Sequence, residues 1–190
     1  MGGMARPLRT EIAGGMHHVT ARTPSGRSLF RDDADHETYL GLLGAEVRKR
    51  SWQVATYCLM GNHIHLLVRT PAPDLGLGIK TVHERFATYV NKRRAEHGHV
   101  FGGRFYNGLV ADGAHFHASL RYIARNPVAA GLCKRAADWR WSGHGALMGT
   151  GEPGFVDVSA TLRLIDERSD VAQASYAGWV GEPDIAVLAK

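Results

Sequence analysis

Four side chains in this sequence have the types and spacing to act on a phosphate: His63, His65, Tyr122 and Asn126. The two histidines sit in Tyr57-Cys58-Leu59-Met60-Gly61-Asn62-His63-Ile64-His65-Leu66-Leu67-Val68, a run that reads as strand from His63 onward. Side chains alternate along a strand, so both imidazoles leave the same face. Two neighbouring imidazoles can bind one divalent cation, each through one ring nitrogen. The plainer reading is a pair of polar histidines on a solvent face, and for a bare His-x-His it prevails. Downstream, His115, Ser119, Tyr122 and Asn126 share one face of a predicted helix. A tyrosine hydroxyl, with a pKa near ~10, is a weak nucleophile at neutral pH. It attacks phosphorus when a metal stabilises charge there and a base takes the proton. The Asn126 carbonyl oxygen could complete the metal shell. Taken alone, Tyr122 reads as a core tyrosine with a hydrogen-bonded hydroxyl. His115-Phe116-His117 is a second His-x-His, but on a helix positions two apart point to opposite sides, so it is a poor chelate.

These residues need elements to hold them. Met16 to Ala21 reads as a first strand. Asp32-Asp33 offers an N-cap for a helix to about Arg50, with Tyr39, Leu40, Leu43 and Val47 as its buried stripe. Trp52 to Met60 and His63 to Arg69 read as a hairpin about the Gly61-Asn62 turn. Asp74 is placed to cap a second helix ending near Glu96, Gly102 to Ala111 is a fourth strand, and Asp112 starts a third helix ending near Asn126-Pro127. The order β-α-β-β-α-β followed by helices predicts an α+β, ferredoxin-like antiparallel sheet with helices on one face, plus C-terminal helices. The expected division is a domain over 1–142, a glycine-rich linker over 143–154, and an acidic helical tail over 155–190.

Composition narrows the classes. The chain has 190 residues, 44% hydrophobic, with a formal net charge of +5. One domain with a real core is expected, and no apolar run is long enough for an ordinary transmembrane helix. No secretory signal is visible, and two cysteines, Cys58 and Cys133, make neither a disulfide scaffold nor a cysteine-rich zinc site. A reducing cytoplasm fits. The charge is uneven: residues 1–150 hold 20 Lys+Arg and 11 Asp+Glu, and residues 151–190 hold 3 and 7. Eighteen of the 23 cations are Arg, whose planar fork suits phosphates and base edges. A GC-rich genome would favour Arg equally.

Several blocks, in order, resemble the REP-associated tyrosine transposases, single-tyrosine HUH enzymes similar to those of the smallest insertion sequences. They are Ala5-Arg6-Pro7-Leu8-Arg9, His18-Val19-Thr20, Phe30-Arg31-Asp32, the His63-Ile64-His65 strand, Gly98-His99-Val100-Phe101 with Arg104-Phe105, Arg121-Tyr122-Ile123 with Asn126-Pro127-Val128, and Trp141-Ser142. The likeness covers about residues 5 to 150. It departs at Gly61, where the family usually has Pro, at Ala129, where it often has Arg, and at Asn126, where related enzymes often use Gln.

The resemblance implies an HUH fold over residues 1–142 and a nucleophile, Tyr122, that forms a 5′-phosphotyrosine. It implies Mg²⁺ or Mn²⁺ on His63 and His65, with Asn126 as third ligand. The implied substrate is single-stranded DNA beside a REP-type hairpin, met in the cytoplasm at the nucleoid, by a monomer rather than the dimer of some relatives. Arg121 and Arg125 flank Tyr122 and are expected to grip phosphates. Arg104 stands among aromatics, as in single-strand binders. Lys92, Arg93 and Arg94 end the second helix, where cations also complement the dipole. Arg6 and Arg9 could form an arm on DNA. The alternative function is a domesticated hairpin-binding protein with weak or no catalysis.

Overall fold

The computed structural model describes residues 11–24 and 27–181. Arg6 and Arg9 lie outside them. Four strands form the sheet: β1 (Met16–Arg22), β2 (Gln53–Leu59), β3 (His63–Arg69) and β4 (Tyr106–Leu109). Their order is β2-β3-β1-β4, and every neighbouring pair is antiparallel. Two long helices, α1 (Asp33–Arg50) and α2 (Leu75–Arg94), follow β1 and β3 and pack against each other. The third, α3 (Gly113–Ala129), crosses β2 and β3. The predicted α+β order is the observed one.

Local chemistry sets the helix starts. The Asp32 carboxylate accepts from the Asp35 amide at 3.2 Å, and the Asp112 carboxylate from the His115 amide at 2.8 Å. Each satisfies a first-turn donor that the helix leaves unpaired. Asp74 precedes α2 as expected, yet its side chain makes no cap bond. Its oxygens instead take Arg50 and the Trp52 indole N–H, both at 2.9 Å. Trp52 lies against Gly78, where any side chain would collide with the indole ring.

Alternation along the strands separates core from site. Ile64, Leu66 and Val68 of β3 and Val19 and Ala21 of β1 are buried in the main core. His63 and His65 leave the opposite face of β3, toward α3.

Three expectations differ. The third helix does not end at Asn126-Pro127 but runs through Pro127 to Ala129. Proline in the last turn forfeits one bond to the preceding turn, and the end is closed by Ala130 N–H to Asn126 O (3.0 Å) and Leu132 N–H to Pro127 O (2.9 Å). The fourth strand is only four residues, Tyr106–Leu109, and Gly103, which the expected strand included, adopts φ +135°, outside strand geometry. The third difference is the stretch read as a linker, 143–154, which is packed. Its helix α4 (His144–Leu147) buries Leu147, and Gly143 lies so close to β2 that a Cβ would sit 2.9 Å from Thr56 Oγ1. Glycine here serves close approach rather than mobility.

This stretch and its flanking residues, from Trp141 to Asp157, cover the edge of β2. Leu59 N–H reaches Trp141 O, Gly143 N–H reaches Tyr57 O, and Asp157 N–H reaches Val54 O, at 2.8–2.9 Å. The tail then forms α5 (Val158–Arg163) and α6 (Ser169–Gly181). Tyr176 and Val180 of α6 belong to the main core, and α6 packs on α3 and α5. No helix among the described residues is long and apolar enough to cross a membrane.

Candidate active site

The site forms where α3 lies over the inner ends of β1 and β3. In the sheet register Thr20 faces His65 and Arg22 faces His63. From α3, Asn126 drops between the two histidines: its Oδ1 is 3.2 Å from His63 Nε2 and its Nδ2 is 3.2 Å from His65 Nε2. Tyr122, one turn earlier, stands edge-on to His65 with ring centroids 5.3 Å apart at 87°. The residue is 54% exposed, so this is not the core tyrosine that the residue alone would suggest. Four residues up to 63 positions apart in sequence thus meet at one place.

Burial governs the charge of the histidines. It pushes the His65 imidazolium down to about 3, aided by His18, His63 and Arg22 nearby. It also lowers His63, against the Asn126 hydrogen bond, and takes His18 down to about 4. Neutral imidazole is the form that ligates metals. His63 Nδ1 lies 2.6 Å from Asn62 Oδ1. His65 Nδ1 lies 3.1 Å from His18 Nε2 and 3.2 Å from Thr20 Oγ1. With the ring protons on Nδ1, two Nε2 lone pairs face one carboxamide, which has a single donor end. Whichever way the amide lies, one lone pair meets its oxygen. A cation among these three donors removes that repulsion, so the donor set fits Mg²⁺ or Mn²⁺ with a carboxamide as third ligand. No cluster of three or more His, Cys, Asp or Glu that could hold a metal occurs among the described residues.

Tyr122, His18 and His65 open on a cavity of about 510 Å³, which Arg22, Arg104 and Tyr106 also line. Arg104 thus lies beside Tyr122 at the cavity wall. Arg22 was missed, and so was His18 beyond its place in a sequence block. The signal for both was register: they lie on β1, and only the β1–β3 pairing brings them to the histidines.

Five other arginines and lysines are elsewhere. Arg121 Nε donates to Trp179 O at 2.8 Å and an Arg125 guanidinium N–H to Val180 O at 2.7 Å. One turn apart, they share a stripe of α3 rotated about 60–100° from Tyr122, and that stripe meets the end of α6. Neither lines the Tyr122 cavity. Arg93 pairs with Asp32 at 2.7 Å and Asp35 at 2.6 Å. Arg94 binds Asp35 at 2.6 Å and the Ser28 and Leu29 carbonyls. Lys92 is exposed at the same helix end, away from the cavity. His115 and His117 diverge as expected: His115 Nδ1 accepts from Ala111 N–H, while the His117 ring packs on Trp179.

No protein-family model matches the chain, and no curated protein matches it. A solved structure does: that of a REP-associated tyrosine transposase bound to a REP hairpin. The likeness has a TM-score of 0.67 and covers 82% of this chain and 93% of that one, at 19% sequence identity. The chain therefore shares the α+β fold of that transposase.

Proposed function

We propose that this chain is a REP-associated tyrosine transposase: a metal-dependent enzyme that cleaves and rejoins single-stranded DNA beside REP-type hairpins. The observation that carries the reading is the meeting of Tyr122, His63, His65 and Asn126 at one place, beside a cavity that Tyr122 and His65 line. The shared fold supports it. Tyr122 Oη attacks the scissile phosphorus, the bond from phosphorus to the 3′ oxygen breaks, and the DNA is left on the enzyme as a 5′-phosphotyrosine. The phenol loses its proton and the departing 3′ oxygen gains one. One phosphoester replaces another, so rejoining needs no nucleotide cofactor. His63, His65 and Asn126 would hold Mg²⁺ or Mn²⁺, which supplies Lewis-acid polarisation of the scissile phosphate when bound. Arg22 and Arg104 neutralise the strand's phosphates at the cavity wall. The protein acts at the nucleoid, as a monomer.

Incubation with a REP-hairpin oligonucleotide and Mn²⁺ tests this. A covalent protein–DNA adduct on a denaturing gel is expected, and it disappears in Tyr122→Phe while hairpin binding persists. An undiminished adduct in that variant excludes Tyr122 as nucleophile.

One observation favours a second reading, a hairpin-binding protein without cleavage. The likeness is to a transposase structure bound to a REP hairpin, and hairpin binding does not by itself require cleavage. That reading predicts specific hairpin binding with no adduct in either metal.

A further inference from the structure

His63 and His65 stand at one end of β3, and Arg69 stands at the other. Side chains alternate along a strand, so all three leave the same face of the sheet, with about 20 Å of strand between His63 and Arg69. In the register Arg69 faces Met16 of β1 and Gln53 of β2. There α5 packs on β2, and a cavity of about 210 Å³ opens between them. Val54, Ala55 and Thr161 are buried in its wall, and Gln53 and Arg163 are exposed at its rim. An adjoining cavity of about 410 Å³ shares Met16, Arg69 and Leu164 with it and reaches Gly113 at the start of α3. Together they fall within the roughly 300–1,000 Å³ usual for small-ligand sites. Neither shares a lining residue with the Tyr122 cavity.

Two guanidiniums set the chemistry of the smaller cavity. Arg69 Nε is buried and has no hydrogen-bond partner. Among the described residues neither Arg69 nor Arg163 forms an ion pair, unlike Arg93 and Arg94. A buried donor without an acceptor is costly, and a charged one more so. A phosphate seated between the two arginines supplies the acceptors, because its oxygens match the guanidinium fork. Asp157 is the one carboxylate on this lining, and its Oδ1 accepts from Ala160 N–H at 3.0 Å as the cap of α5. Its other oxygen and the Gln53 carboxamide offer acceptors to hydroxyl groups. A carboxylate repels a second anionic group, so the complement is one phosphate on a hydroxylated body rather than a polyanion.

We propose that the cavity between α5 and the sheet is a second ligand site, which seats the phosphate of a small hydroxylated phosphate monoester between Arg69 and Arg163. The ligand is a free molecule and not the DNA strand, because Asp157 stands against a chain of phosphates. The adjoining cavity gives room for the body of the ester.

Calorimetry on the full-length protein with ribose 5-phosphate tests this. Binding with a Kd of about 1 mM or tighter is expected. Arg69→Gln and Arg163→Gln each weaken it by about ten-fold or more. Arg163 is exposed, so its replacement leaves the fold intact. Arg104→Gln, at the Tyr122 cavity, leaves the affinity within about two-fold, since the two sites share no partner. Arg69→Gln also keeps or raises the urea midpoint, because it removes a buried donor that has no acceptor. No binding at about 10 mM, or binding lost in Arg104→Gln and kept in Arg69→Gln, overturns the site. A lowered urea midpoint with unchanged affinity in Arg69→Gln makes that arginine scaffold and overturns it too. Hairpin affinity is expected to be equal in wild type, Arg69→Gln and Arg163→Gln. A fall in both variants, with no binding of ribose 5-phosphate to wild type, assigns the arginines to the DNA strand and overturns the free ligand. None of these readouts uses the Tyr122 adduct, so the cleavage reading and this site stand or fall separately.

Discussion

His65 is held at both ring nitrogens, and the two contacts do different things. Asn126 meets Nε2 from α3. His18 and Thr20 meet Nδ1 from the neighbouring strand. A partner on Nδ1 fixes ring orientation and keeps the proton off Nε2, and such outer partners are typically worth 10–100-fold in metal affinity. His18 sits 47 residues from His65 and reaches it only through β-pairing. His18→Gln is therefore expected to weaken Mn²⁺ binding by about ten-fold or more, measured by calorimetry on the protein without DNA. Hairpin affinity without metal should fall far less, because Gln keeps a polar side chain at this position of the cavity wall. Equal Mn²⁺ affinity in the two proteins would remove His18 from the site.

Elements explain why the basic clusters divide between grip and scaffold. Arg94 lies at the end of α2 with its side chain 6% exposed, against an Asp35 carboxylate with no exposure. Buried ions hold only when paired. Arg94 therefore locks α2 onto the start of α1 and is unavailable to DNA. Arg94→Ala is expected to cost about 2 kcal/mol in urea unfolding, less than a fully broken buried pair because Arg93 still neutralises Asp35. Hairpin affinity per folded molecule should be unchanged; a fall in affinity with unaltered stability would make Arg94 a DNA contact. Sequence alone cannot separate such an arginine from Arg104, since the partners lie about sixty residues away. What is legible is local: the strand that carries His63 and His65, the Asp32 and Asp112 caps, and the turn spacing of Tyr122 and Asn126. Pro127 misleads because a proline rule that holds in a helix interior is weak in the last turn. The glycines of 143–154 mislead because close packing and flexibility use the same residue. The neighbouring aromatics are clearer: Trp139 Nε1–H donates to Leu59 O, and Trp141 stacks on His36.

For the molecule as a whole, the net charge of +5 is the sum of a basic body and an acidic tail, and the tail is part of that body. Its described portion closes over β2 and α3, with Tyr176 in the core and its hydroxyl 2.9 Å from His144 Nδ1. Buried histidines are thus spread over the structure. His36 stacks between Phe30 and Trp141, His144 lies under α6, and His18 and His65 lie under α3. Burial lowers all four below the ordinary value of 6.5, His18 to about 4 and His65 to about 3. An unfolded chain takes up these protons near pH 6.5, while the folded chain stays neutral until lower pH. Unfolding therefore binds protons in that window, and stability must fall as pH drops. The Asp32 carboxylate, held down to about 2 by Arg93, loses its contribution only further down, so it does not offset the trend. Stability is then full above about pH 6.5 and declines toward about pH 3. Urea midpoints at pH 7.5 and 5.0, with a chelator present so that metal binding contributes nothing, should show the lower value at pH 5.0. His144→Gln should narrow the gap by removing one titrating group while offering a polar partner near the Tyr176 hydroxyl. Equal midpoints at the two pH values would mean that these imidazoles take up protons in the folded chain as readily as in the unfolded one.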